Sequence, residues 1–152
     1  MPSRPRSIDG STRIVGVIGD PIAHTRSPAM HNAAFRALGL NLAYLPFRVA
    51  GDDVGAAIEG ARALGLRGLN VTVPHKEAVI PCLDRLSPRA RACRAVNTIV
   101  IHDDGTLEGD NTDVPGLERA LLEAGLPRRR GEVAVLLGAG GSARAAVLAL
   151  GA

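Results

Sequence analysis

From Arg13 onward the chain alternates short apolar runs with segments whose apolar residues recur every three or four positions. R-I-V-G-V-I-G is strand-like, and S-P-A-M-H-N-A-A-F-R-A-L-G has helical spacing. L-A-Y-L-P-F-R-V and D-D-V-G-A-A-I-E-G-A-R-A-L-G repeat the pair, and G-L-N-V-T-V reads as a third strand. A β-α-β-α-β-α order predicts an α/β fold with a mostly parallel sheet and helices on both faces. N-T-I-V-I-H and L-E-G-D-N-T flank the turn D-D-G, which predicts a hairpin and hence an antiparallel element. T-D-V-P-G-L-E-R-A-L-L-E-A-G is again helical, and P-R-R-R-G reads as a solvated linker. E-V-A-V-L-L then runs into G-A-G-G-S-A and a helix, the opening βα unit of a dinucleotide-binding domain.

This divides the chain into a flexible tail (1–12), a substrate domain (13–113), a linking helix and loop (114–130) and the start of a Rossmann domain (131–152). In the glycine-rich turn Gly138 and Gly140 take the first two glycine places and Ala143 the third, with Ala139, Gly141 and Ser142 between them. The residue that reads the ribose falls about twenty positions further on, beyond Ala152, so the expectation is a cofactor domain cut short and a chain that is a fragment.

Composition narrows the classes. Hydrophobic residues make up 46% and charged residues 22%, as in an ordinary globular protein, whereas aromatic residues reach only 2%, so the core is aliphatic. A net charge of +3 with few rings for stacking bases argues against nucleic acid and suits anionic small molecules. Cys82 and Cys93 lack metal-site spacing and read as reduced cytosolic residues, so no metal is expected. No apolar run approaches the roughly twenty residues of a membrane span, and a soluble, cytoplasmic protein is expected.

One position stands out chemically. Of 18 basic residues, only Lys76 is lysine. A codon bias toward arginine would have put arginine there too, whereas only an ammonium can exchange its proton near neutral pH. It lies in N-V-T-V-P-H-K-E, where Pro74 is expected to open a helix over K-E-A-V-I-P-C-L; the dipole at its start would lower the lysine pKa. The bland alternative is a solvated lysine paired with Glu77.

Open parallel sheets bind ligands beyond the carboxyl ends of their strands. At such ends fall Thr25 and Ser27, Thr72 and Lys76, Asn97, and Asp113 at a helix start. Ser27 before Pro28 is also an N-cap pair, and Asp113 is also explained by a helix dipole. Together they offer hydroxyls and an amide for a polyhydroxylated ring, with an ammonium and a carboxylate for proton transfer. His24 reads as loop wall, His31 and His75 as helix-surface or supporting groups, and His102 as hairpin surface.

The motifs G-D-P-I-A-H-T-R-S-P-A-M-H-N, N-V-T-V-P-H-K-E, A-V-N-T, G-D-N-T-D-V-P-G and G-A-G-G-S-A-R-A resemble, in order and spacing, the shikimate dehydrogenase family. The resemblance runs from about Val17 to the last residue. It implies NADP-dependent interconversion of 3-dehydroshikimate and shikimate on the route to chorismate and the aromatic amino acids, in a cleft between a substrate domain and a Rossmann domain. Carried over by motif, Lys76 is the acid–base group paired with Asp113, and Thr72 and Asn97 bind ring hydroxyls. Thr25 and Ser27 hold the substrate carboxylate, and the turn from Gly138 to Ala143 holds the cofactor. The family usually has serine at both hydroxyl positions, so Thr25 departs from it and leaves quinate open as a substrate. A shikimate-binding module without turnover is the other alternative, and the fragment alone is expected to be inactive.

Overall fold

The computed structural model describes residues 8–126 and 133–151. Residues 1–7 of the expected tail and the arginine run at 128–130 lie outside the described residues. Residues 9–12 form a hydrogen-bonded turn: Thr12 N–H donates to the Asp9 carbonyl at 3.0 Å, and Asn41 Nδ2 donates to Ser11 Oγ at 2.8 Å. This part of the expected tail is therefore tied to the loop before the second strand.

Six strands form one mixed sheet: β1 (Arg13–Gly19), β2 (Leu42–Arg48), β3 (Gly68–Val71), β4 (Arg85–Leu86), β5 (Thr98–Ile101) and β6 (Leu107–Asp110). Their spatial order is β2-β1-β3-β5-β6-β4. β1 is parallel to β2 and to β3, and β4 is parallel to β6, whereas β5 is antiparallel to both neighbours. The hairpin read from D-D-G is the β5–β6 pair.

The helices are α1 (Ser27–Ala37), α2 (Val54–Ala63), α3 (Pro88–Cys93), α4 (Asp113–Glu123) and α5 (Gly141–Gly151). Side chains alternate across β1, so the sheet has two apolar faces. On one, Ile18 joins Leu69, Val71 and Ile99 against Val54, Ile58 and Ala61 of α2. On the other, Val17 and Tyr44 pack with Ile22 and Phe35, the last from α1. Complete burial of a side chain such as Ile58 contributes about 1.5–3 kcal/mol. A third apolar cluster joins Cys93, Ala95 and Val114 to Ala145 and Ala149, seating α5 on α3 and α4.

Three local expectations need correction. The segment after Pro74 is a series of turns ending in a 3-10 turn at Ile80–Cys82, with no α-helix. Val96 N–H takes the Lys76 carbonyl at 2.7 Å, and Pro81 has no N–H to offer Glu77, so consecutive helical bonds cannot form. Lys76 therefore has no helix dipole beneath it, and that argument for its reactivity falls. Residues 133–137 of the expected strand are not hydrogen-bonded into any sheet, and Val133 and Leu137 are exposed, at 89% and 97%. No described strand lies alongside them to complete a ladder. Finally, β4 and α3 went unread: a two-residue strand leaves no periodicity, although Ser87 caps α3 through Ala90 N–H at 3.0 Å and Pro88 follows at its first position.

Candidate active site

Reversal of β5 brings the candidate residues together. Thr98, at its start, pairs with Asn70 near the end of β3 and with Asp110 at the end of β6. The segments carrying Thr72 and Lys76, Asn97, and Asp113 thus leave the sheet at one rim.

There Lys76 Nζ lies 2.6 Å from Asp113 Oδ2, with the lysine side chain only 14% exposed. Asn97 Nδ2 donates to Asp113 Oδ1 at 2.7 Å and to Thr112 Oγ1 at 3.0 Å. Its Oδ1 accepts from Thr112 N–H at 2.9 Å, which uses both ends of the amide to hold the start of α4. Asn111, completely buried, accepts from Asp113 N–H at 3.0 Å and donates to the Ala95 carbonyl at 3.0 Å. Asp113 is also the first residue of α4, which places its side chain at the positive end of that helix.

Thr72 is held through its backbone: its N–H donates to the Ile18 carbonyl at 3.0 Å and its carbonyl accepts from His75 N–H at 2.9 Å. Thr25 and Ser27 belong to the loop after β1 and the first turn of α1. Thr25 Oγ1 accepts from Ser27 N–H at 3.3 Å. Arg26 stands at the N-cap and its side chain makes no capping bond, so the capping account of Ser27 does not hold. Burial pushes the Tyr44 phenol to a higher pKa, an effect that the Ser27 hydroxyl opposes.

Tyr44, Asn70 and Asn111 were missed in the sequence. Tyr44 Oη donates to Asn70 Oδ1 at 2.7 Å, and Asn70 Nδ2 reaches Thr98 Oγ1 at 3.3 Å. An asparagine inside G-L-N-V, among apolar neighbours, was the available signal. His31 stacks on the Tyr44 ring at 4.3 Å between centroids. His75 is not at a surface: it is buried, and its Nε2 donates to the Val49 carbonyl at 2.7 Å. His24 is exposed in its loop, and His102 pairs with Glu108 at 3.0 Å on the hairpin.

The glycine-rich turn borders the same cluster. Ser142 Oγ is 3.2 Å from Lys76 Nζ. A Cβ on Gly141 would lie 3.2 Å from Lys76 Cδ and 3.1 Å from Ala95 Cβ, so the lysine stem packs where any side chain would press. Gly138 has φ +126°, a conformation that favours glycine. Gly138, Gly140, Gly141, Ser142 and Ala143 line a cavity of about 440 Å³ with Lys76 on its wall, whereas Ala139 is not part of that lining. Backbone N–H groups opening α5 beside a lined cavity suit a phosphate-bearing dinucleotide. Cys93, behind the pair, has its thiol pushed up by burial and then by Asp113. Both cysteines are free, and no metal-holding cluster occurs among the described residues.

An α/β sheet with an ammonium–carboxylate–amide cluster at its rim, adjoining a glycine-rich turn, defines the class of α/β folds that gather polar groups beyond the carboxyl ends of their strands, where small molecules bind. The family model for the shikimate dehydrogenase substrate binding domain matches residues 17–99, and the chain belongs to that family. It is 51% identical over 143 residues to shikimate dehydrogenase (NADP(+)) of Rubrobacter xylanophilus, covering 94% of this chain and 50% of that protein. A crystal structure of a shikimate dehydrogenase in complex with NADP+ superposes with a TM-score of 0.90 at 43% identity, over 95% of this chain and 50% of the other. The enzyme from Listeria monocytogenes, in complex with shikimate and NAD, superposes at 0.86 with 44% identity, over 95% and 50%. The chain therefore spans about half the length of the relatives it matches. No helix among the described residues is long and apolar enough to cross a membrane.

Proposed function

We propose that this chain carries the substrate side, and the opening of the cofactor side, of an NADP-dependent shikimate dehydrogenase that interconverts 3-dehydroshikimate and shikimate. The observation that carries the reading is the 2.6 Å contact between Lys76 and Asp113 beside the glycine-rich turn. Gly138 to Ala143 would hold the dinucleotide, which would supply hydride as NADPH in the reduction and accept it as NADP+ in the reverse direction. Lys76 gives a proton to the ring oxygen as negative charge develops there, and takes it back in the reverse direction. Asp113 keeps the ammonium aimed and bonds a neighbouring hydroxyl, and Asn97 fixes the carboxylate that does so. Thr72 contributes a further hydroxyl toward the ring, and Thr25 and Ser27 receive the substrate carboxylate. Low aromatic content and two free cysteines suit a small-anion enzyme of the reducing cytoplasm.

Thr25, where the family usually has serine, leaves open a second reading in which quinate is also accepted. Calorimetric titration with shikimate and then quinate, together with NADP reduction by each, made on the longest available form of the protein, tests both. Shikimate binding with turnover supports the first reading, and quinate turnover the second. Binding without turnover supports a shikimate-binding module, and no binding of either acid overturns all three.

A further inference from the structure

Glu77 follows Lys76 directly, and a free carboxylate there would compete with Asp113 for the ammonium. The structure gives Glu77 another partner: Arg144 Nη2 lies 3.0 Å from Glu77 Oε2. A second nitrogen of the same guanidinium, Nη1, donates to the Arg94 carbonyl at 3.1 Å. Arg94 caps α3 in the left-handed conformation, with φ 51°, and two residues later Val96 N–H holds the Lys76 carbonyl at 2.7 Å. One planar fork on α5 therefore bridges the two chain segments that deliver Lys76 and Asn97. Its own backbone is held by the packing of Ala145 and Ala149 against Val114, Ala95 and Cys93.

We propose that Arg144 is a positioning residue for the Lys76–Asp113 pair, acting by holding Glu77 away from the Lys76 ammonium. The proposal rests on reading Lys76 as the proton-transferring group, but its geometry does not depend on the identity of the substrate. A stabilising role is a poor explanation for this contact. The two side chains are 37% and 50% exposed, and ion pairs in such settings add little to folding. The contact commits the Glu77 carboxylate to α5 while Asp113 faces the lysine.

Because Lys76 is the only lysine, its reactivity can be followed alone. The measurement is the rate of acylation of Lys76 by an amine-directed ester at fixed pH near neutrality, quantified by mass spectrometry on its peptide in the whole chain. In Arg144→Gln the released Glu77 should hold the ammonium protonated and slow acylation about threefold, on the scale of one nearby charge. Adding Glu77→Gln to that variant should restore the original rate. Arg144→Lys, which keeps a charge for Glu77, should stay near the original rate and stands in if Arg144→Gln does not fold. An unchanged or faster rate in Arg144→Gln, no restoration by Glu77→Gln, or a slowed Arg144→Lys would each overturn the proposal. All of these readouts hold even if the protein turned over neither shikimate nor quinate, so failure of the functional reading is seen separately.

Discussion

Asn97 gives Asp113 one hydrogen bond of 2.7 Å, on Oδ1, and leaves Oδ2 to Lys76 at 2.6 Å. The carboxylate is thus held from one side by a neutral donor and uses the other side to aim a charged one. Removing the amide would leave the ion pair without its orientation, and removing the lysine would leave an oriented carboxylate with no proton to direct.

Lys76→Ala should therefore lower kcat for shikimate-dependent NADP reduction by about 10²–10⁴-fold. KM for shikimate should move by no more than about threefold, because the carboxylate and the other ring hydroxyls are assigned to Thr25, Ser27, Thr72 and Asp113 in the proposed reading. Lys76→Arg should be as impaired, since a guanidinium keeps its charge but does not release its proton. Steady-state kinetics of both variants would remove Lys76 from the mechanism if either retained near-normal turnover.

Asn97→Ala takes away the acceptor for Thr112 N–H and a donor to Asp113 at a buried position. The expected loss of stability is about 1–3 kcal/mol, the usual result of leaving buried polar partners unmatched. Urea unfolding measures it, and a loss close to zero would mean that α4 starts without help from this amide.

His75 is buried with its ring bonded to the Val49 carbonyl at 2.7 Å. His75→Ala opens a cavity and strands that carbonyl, so destabilisation of about 2–4 kcal/mol is expected. If thermal unfolding of the variant matched the parent, the ring would contribute little to the turn that carries Lys76.

Acid stability should depend on Asp110. Burial raises its pKa, but the bonds from Arg89, Ser87 and Asn111 N–H outweigh it and hold the carboxyl below its ordinary 3.8. With the folded value depressed, the stabilisation is complete above the unfolded pKa and disappears as pH falls through the folded one. Denaturation midpoints should hence drop below about pH 4 in the parent. Asp110→Asn should show a smaller drop over the same window, and identical pH profiles would exclude this contribution.

Much of the fold was legible because β1, β2, β3 and the three longer helices of the substrate side carry clear periodicity. Strand ends placed Lys76 and Asp113 among the candidates at one rim, and their pairing came from the resemblance of the motifs that carry them. The turn at Lys76 was not legible, because what stops a helix there is a carbonyl taken by Val96, twenty residues away in sequence. The capping alternative for Ser27 could not be separated from a ligand role in the sequence, because the N-cap falls on Arg26, a residue type with no capping preference. The apolar run at 133–137 shows the converse, for strand character needs a neighbour as well as a composition.

The seating of α5 on α3 and α4 has a practical outcome for anyone dissecting this protein. A chain trimmed after α4 to isolate the six-stranded sheet would uncover Cys93, Ala95 and Val114, now covered by Ala145 and Ala149. Such a truncation should be sticky and poorly behaved at high concentration, so a useful boundary lies beyond Gly151, even though the glycine-rich turn looks like the natural place to cut.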